Sequence, residues 1–430
     1  MGIRQGYPVQ PERERCILVG VDVTPRGEWS VDESLDELER LVETDDAVCV
    51  GRLTQRLASP YPKTFIGTGK IDELRELAEA TEATTVIFDD ELSPSQQSNI
   101  ERMLGQKYKV LDRTALILDI FGQHATTHEG MLQVQMAQLQ YLYPRLRGMW
   151  AHLAKDKTRG GIGSRFGQGE SQLEVDRRLI RDRMSVIRRD LAKISQNRDV
   201  QRKGRVESQT YRVALAGYTN AGKSTLINAL TGSDVLEQDL LFATLDPTTR
   251  ALELPGGRNI VVTDTVGFIQ KLPTTLVESF KSTLAEVSDA NLILTVVDAH
   301  DEHSDKQLGA VNDVLEEIGA STIPRVIVYN KVDLMEPDDV DAMRERHPDA
   351  IFISAKTGAG IDALIAGIAE IAASRDVTGA YRIAYHDAKL VDLCHERGNV
   401  IEQVYDEAGI TITLTAPPEL ASMLERYRVS

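Results

Sequence analysis

The chain predicts an α/β multidomain protein: a doubly wound, mostly parallel sheet preceded by a small α/β domain and an antiparallel helical hairpin. Three observations carry this expectation. Short apolar runs alternate with helical patterns from residue 15 to 120 and again from 210 to 375. Residues 217–224 read GYTNAGKS, of the form GxxxxGK[ST], between an apolar run (YRVALA, 211–216) and a helical stretch (STLINAL, 224–230). Long apolar side chains at spacings near three and four mark one helix through Met131, Val134, Met136, Leu139, Leu142 and Leu146, and a second over 172–203.

In chain order, RCILVGVDV, SLDELERLVE, AVCVGRLT, KIDELRELAEA, TTVIFDD, SNIERMLG and KVLDRT build the first α/β domain, expected over 1–125. Its SPYPKTFIGTGK segment reads as a loop, because the GK there is not embedded in a full phosphate-loop motif. The two helices, joined by RGGIGSRFGQG, form a basic hairpin expected over 126–209. The sheet with the GYTNAGKS loop takes 210–375. Residues 376–430 form a short C-terminal α/β domain, in which VIEQVYDEAGITITLTAPPELASMLERY reads as helix, strand and helix.

The loop carries the chemistry. Gly217 and Gly222 let the backbone curl so that several N–H groups and a helix N-terminus converge on one polyphosphate. Tyr218, Thr219, Asn220 and Ala221 complete its wall, and Thr225 lies at the helix start. Lys223 reaches the β- and γ-phosphates, and Ser224 ligates Mg²⁺. Asp264 ends a second apolar strand (NIVVTD), where its carboxylate holds a magnesium-bound water; Thr265 and Val266 lead to Gly267, whose backbone senses the γ-phosphate. Asn330, Lys331 and Asp333 of NKVD follow a third strand, RVIVY. Asp333 accepts from the guanine N1–H and exocyclic amine, a pair adenine does not offer, so the expected nucleotide is GTP or GDP rather than ATP. Ser354, Ala355 and Lys356 of SAK follow a fourth strand, AIFI. The ordered set predicts GTP hydrolysis to GDP and phosphate. The second magnesium ligand is a threonine of LFATLDPTTR, and chemistry alone leaves Thr244, Thr248 and Thr249 open.

Charge is unevenly placed. The net charge is −17, but residues 141–205 hold 17 Lys and Arg against 7 Asp and Glu, leaving 32 against 59 elsewhere. Arg145, Arg147, Lys155, Lys157, Arg159 and Arg165 flank or enter the glycine-rich stretch, which predicts contact with an RNA backbone. No run of about 18 apolar residues occurs, so no membrane span is expected, and the N-terminus lacks a secretory pattern. A cytoplasmic monomer is the expectation. Cys16, Cys49 and Cys394 are isolated and expected to be reduced thiols, and His124 and His128 have no third partner for a metal.

FATLD (242–246), DTVGF (264–268), PKTFIGTGKIDEL, VIFDDELSPSQQSNIE, VLDRTALILDIF and GGIGSRFGQGESQLEVDRR together resemble the HflX family of ribosome-associated GTPases, over roughly residues 15 to 375. The resemblance implies that Phe242, Ala243, Thr244, Leu245 and Asp246 belong to the nucleotide site and that Thr244 is the Mg²⁺ ligand. It implies the large ribosomal subunit and its RNA as partner, met by the hairpin, with rescue or splitting of stalled ribosomes as the outcome. A ribosome-assembly GTPase, or an RNA-binding module using GTP only as a structural switch, is the alternative. Phe268 stands where better-known small GTPases have a water-orienting glutamine, so intrinsic hydrolysis is expected to be slow until a partner acts. Asn220 stands where related GTPases place a K⁺-ligating asparagine, making K⁺ a candidate cofactor.

Overall fold

The structure, a computed structural model, describes residues 13–23, 29–105, 107–156, 172–208, 210–232, 241–242, 245, 247–255, 257–271, 273, 276 and 281–429. It divides into two compact units: residues 1–191 with 240–242 and 270–280, and residues 192–239 with 243–269 and 281–430.

In the first unit, β1 (Arg15–Val23), β2 (Val48–Leu57), β3 (Thr85–Phe88) and β4 (Lys109–Asp112) form a parallel sheet in the order β2-β1-β3-β4. Parallel neighbours require crossovers, supplied by α1 (Val31–Thr44), α2 (Thr68–Ala80) and α3 (Pro94–Leu104); α4 (Arg113–His124) follows β4 directly. Their starts are legible in sequence. Ser30 with Glu33 and Ser93 with Gln96 form reciprocal capping boxes that satisfy the first N–H groups of α1 and α3. Gly67 of GTGK opens α2, and its N–H donates to the Gln55 side chain at 2.9 Å, so this segment starts a helix as a structural cap. Ile17, Val19, Val86, Phe88, Ile71 and Ile100 pack one core between sheet and helices.

Arg113 is buried in this unit. It donates to Asp89 at 2.5 Å, to Glu37 at 2.7 Å and to the Ser34 carbonyl at 2.9 Å. Lys271 joins the same group by ion pairs with Asp89 and, at 2.7 Å, Asp90. Burial alone would raise the Asp89 carboxyl, but Arg113 and Lys271 outweigh it and hold it below the usual carboxylate range.

The next two helices are α5 (His128–Asp156) and α6 (Gln172–Ser208), both longer than the apolar spacing indicates. Arg183 donates to Gln135 at 2.9 Å and the Arg177 guanidinium lies 5.7 Å from the Tyr143 ring, so positions rise along one helix as they fall along the other. The hairpin is antiparallel here. The glycine-rich segment, with Lys157, Arg159 and Arg165, lies outside the described residues, and the side chains of Arg147 and Lys155 are likewise not described. Arg145 corrects the expectation of an RNA contact. It is buried over the Tyr141 ring at 3.5 Å and donates to the Leu92 carbonyl at 2.6 Å, Gln97 at 3.1 Å and Asp112 at 3.3 Å. Its donors serve the domain.

In the second unit, β5 (Tyr211–Gly217), β6 (Thr248–Leu254), β7 (Arg258–Asp264), β8 (Leu292–Asp298), β9 (Arg325–Asn330) and β10 (Ile351–Phe352) form one sheet ordered β10-β9-β8-β5-β7-β6. All neighbours are parallel except β6 with β7. Around the sheet run α7 (Lys223–Thr231), α8 (Lys281–Ser288), α9 (Ser304–Glu317), α10 (Pro337–Arg346) and α11 (Ile361–Ala373). From β5 the chain passes through α7 to β6 and β7 on one side of it and then crosses to β8 on the other, so the strand order reverses at β5 and opens a crevice at its carboxyl end, the place where such sheets bind ligands.

A third, antiparallel sheet holds β11 (Val377–Ile383), β12 (Asn399–Asp406) and β13 (Gly409–Ala416) in the order β11-β13-β12, with α12 (Lys389–Arg397) and α13 (Pro418–Leu424). Residues 399–406 are therefore a strand, not the expected helix. Val400, Ile401, Val404 and Tyr405 favour a pleated surface, and the Asp406 carboxylate accepts from the Ala408 and Gly409 N–H groups at 2.7 and 2.9 Å, closing a hairpin. No described helix is long and apolar enough to cross a membrane.

Candidate nucleotide site

The site is built on the carboxyl ends of β5, β7, β8 and β9. A Cβ on Gly217 would lie 2.3 Å from the Val296 carbonyl oxygen, so only glycine lets β5 end this close to β8. Gly222 has φ +88°, and a Cβ there would meet the Asn330 amide nitrogen at 2.3 Å. Asn330 Nδ2 donates to the Ala221 carbonyl at 2.9 Å, while its Oδ1 accepts from the Ala355 N–H at 2.9 Å. One side chain ties the phosphate loop to the SAK loop. Ala221 itself is buried in the sheet's main core.

Lys223 is 7% exposed, and its ammonium donates to the carbonyls of Gly217 at 3.1 Å and Tyr218 at 2.8 Å. Burial pulls it down to about 8, with Asp264 opposing part of that shift. Ser224 donates to the fully buried Asp264 carboxylate at 2.8 Å. These are hard oxygen donors side by side at the loop, the chemistry a magnesium ion selects, so the residues fit that ion. Thr225 follows in the first turn of α7, and Asn220, at φ +59°, is exposed on the loop.

The DTVGF segment lies against the loop. Thr265 donates to the Leu215 carbonyl at 2.7 Å, Val266 is buried, and a Cβ on Gly267 would meet Thr219 Cγ2 at 2.8 Å and Lys223 Nζ at 3.2 Å. The Phe268 N–H donates to the Gly217 carbonyl at 3.1 Å, and the Phe268 carbonyl in turn accepts from the Thr219 N–H at 2.8 Å. The Phe268 ring is buried and brings no polar atom to this place.

At the base end, Lys331 takes φ +66° and forms an ion pair with Asp298 at 2.7 Å. Asp333 is exposed in the turn Val332–Leu334. Ser354 is buried, its hydroxyl accepting from the Thr357 N–H at 3.1 Å, and Lys356 is exposed beside it. Asp298 is not among the residues to which the motifs point. Its signal is present all the same, because LILTVVD ends an apolar strand in a carboxylate as NIVVTD does.

The FATLD segment is only partly described. Ala243, Thr244 and Asp246 lie outside the described residues; Leu245 is buried; Phe242, at φ +58°, groups with the first unit, where its ring meets Phe121 edge-on at 4.6 Å. Among the described residues, no cluster of three or more His, Cys, Asp or Glu could hold a metal.

A phosphate loop at the switch point of a parallel sheet, with DTVG and NKVD at the neighbouring strand ends, defines a P-loop GTPase. Comparison with known proteins agrees. The family described as "50S ribosome-binding GTPase" matches residues 212–331, "GTP-binding GTPase N-terminal" matches 32–122, and "GTP-binding GTPase Middle Region" matches 124–205. "GTPase HflX" of Caldanaerobacter subterraneus is 44% identical, covering 97% of this chain and 95% of that protein. "GTPase HflX" of Escherichia coli is 41% identical, covering 92% of each. The chain belongs to the HflX family of GTPases, and it binds and hydrolyses GTP. A solved structure titled "crystal structure of SsGBP and GDP complex" is 24% identical at a TM-score of 0.44, covering 84% of this chain and 99% of that one.

Proposed function

We infer that this GTPase acts on ribosomes, docking on the large subunit and its RNA through the basic segment 141–205, and rescues or splits stalled ribosomes. The observation that carries this reading is the charge island: 17 basic against 7 acidic residues in a chain whose remainder holds 32 against 59. A solvated helix would not need so strong a separation, whereas phosphate neutralisation would. The family description matching residues 212–331 names the 50S ribosome, in accord with this partner. The chain works as a cytoplasmic monomer.

In this reading the backbone N–H groups at the start of α7 and Lys223 hold the phosphates. Ser224 and Thr244 would ligate Mg²⁺, Asp264 would accept from a water bound to it, and Gly267 reports the γ-phosphate. The ion, when bound, neutralises charge building on the phosphate oxygens. Asn220 positions a K⁺ beside the phosphates. Asp333 selects guanine, so Asp333→Asn, which turns one acceptor into a donor, lowers GTP affinity and favours xanthine nucleotides; competition binding reads this directly.

The test is GTP hydrolysis in K⁺ buffer with and without large ribosomal subunits from the same source. Stimulation by subunits, abolished when Lys155, Lys157, Arg159 and Arg165 are all changed to Gln, supports the docking reading. Lys223→Ala is the inactive control. Unchanged turnover in Na⁺ removes the K⁺ role, and absence of any stimulation removes the ribosome.

A further inference from the structure

Thr219, third residue of the phosphate loop, is 6% exposed, and its hydroxyl has no hydrogen-bond partner among the described residues. Its N–H is committed to the Phe268 carbonyl at 2.8 Å, and a Cβ on Gly267 would stand 2.8 Å from its methyl carbon. Gly267 thus sits between Thr219 and the Lys223 ammonium, which lies 3.2 Å from the same point. A buried hydroxyl without a partner costs free energy that an apolar side chain of the same shape would not. Valine would fill this place equally well. The neighbouring groups are otherwise accounted for: the lysine bonds two carbonyls, the serine bonds Asp264, and the Phe268 backbone bonds Gly217 and Thr219 while its side chain is apolar. What the loop itself does not offer is an acceptor for Thr219.

GTP differs from GDP by the γ-phosphate, and that group belongs beside Lys223 and the glycine of DTVG. We propose that the Thr219 hydroxyl donates to a γ-phosphate oxygen of bound GTP, distinguishing GTP from GDP and helping fix the terminal phosphate for attack by water. It would partly replace the polar group that Phe268 does not supply at the end of the same segment. The orphaned hydroxyl is then a ligand group waiting for its acceptor, and its neighbours explain the burial. Thr219 closes over Gly267 with its methyl face, which keeps bulk water away from the bond that forms.

The experiment uses the full chain with Thr219→Val, which keeps the shape, and Thr219→Ser, which keeps the hydroxyl. Affinities for GDP and for a non-hydrolysable GTP analogue are measured alongside the melting temperature of the nucleotide-free protein and kcat and KM for GTP. Thr219→Val is expected to hold GDP within about twofold and to lose roughly tenfold or more in affinity for the analogue, the scale of a hydrogen bond to a charged group. Its nucleotide-free form melts no lower than the parent, because the uncompensated hydroxyl is gone. Thr219→Ser restores the preference for the triphosphate analogue and kcat. Equal loss for both nucleotides, no loss for either, or a lower melting temperature for nucleotide-free Thr219→Val would overturn the proposal. The last result would mean that the hydroxyl is already satisfied in the free protein.

Discussion

Lys223 carries its charge against burial, and that has a measurable sign. Its ammonium falls to about 8 from 10.5 in the folded, nucleotide-free protein. The unfolded chain therefore binds more protons between those values, and the stability of the free protein rises as pH climbs through that window, while below about 8 the full cost of the buried charge remains. A polyphosphate beside the ammonium restores the charge. Binding GDP at pH 9 should thus take up close to one proton, seen as a dependence of binding enthalpy on buffer ionisation; enthalpies equal in two buffers would contradict it. Arg113 is the opposite case, a charge fully compensated within the fold. Arg113→Met takes from Asp89 and Glu37 the buried guanidinium they share, leaving Lys271 to face Asp89 alone, and should cost about 3–5 kcal/mol in urea unfolding of the full chain. The Asp89 carboxyl, held low, contributes stability that is present above its ordinary pKa and lost as pH falls through its lowered one.

Elements that rest on local signals are legible along the chain. Capping serines at Ser30 and Ser93 announce α1 and α3, and the apolar runs ending in Gly217, Asp264 and Asn330 announce the strands that hold the nucleotide loops. The strand Asn399–Asp406 is not legible in this way, because its apolar spacing suits either state and only pairing with β13 decides it. Register is equally invisible in sequence: Cys16 and Cys49 lie opposite each other on β1 and β2 although 33 positions apart. Asn330 joins two loops that are distant in the chain. Asn330→Ala should weaken GDP binding about tenfold or more and speed amide exchange over residues 217–222, since the Ala221 carbonyl and the Ala355 N–H are both left without their partner. Unchanged exchange in the loop would show that the side chain is not its brace.

For the whole molecule, the uneven charge governs association with a polyanion. Affinity for large subunits should fall steeply as salt rises, and changing Lys155, Lys157, Arg159 and Arg165 to Gln should flatten the log–log slope by roughly one for each phosphate that is no longer neutralised. A slope indifferent to those four residues would place the docking surface elsewhere. Arg145→Gln belongs to a different class. Its guanidinium is spent on Leu92, Gln97, Tyr141 and Asp112, so it should lower thermal stability without changing the salt slope.

The α/β class, the order of the nucleotide motifs and the choice of guanine all follow from the amino-acid string, because each depends on a short run of residues whose spacing dictates its own geometry. The basic segment follows from it too, since charge is additive along a chain. Folding was needed to settle which basic side chains remain available, as Arg145 shows, and that residues 240–242 and 270–280 group with the first unit. Only in the folded chain does Asp298 hold Lys331, and only there is the Thr219 hydroxyl buried with no partner among the described residues. Those facts arise where residues far apart in sequence share one buried volume, and burial is a property of the fold and not of the string.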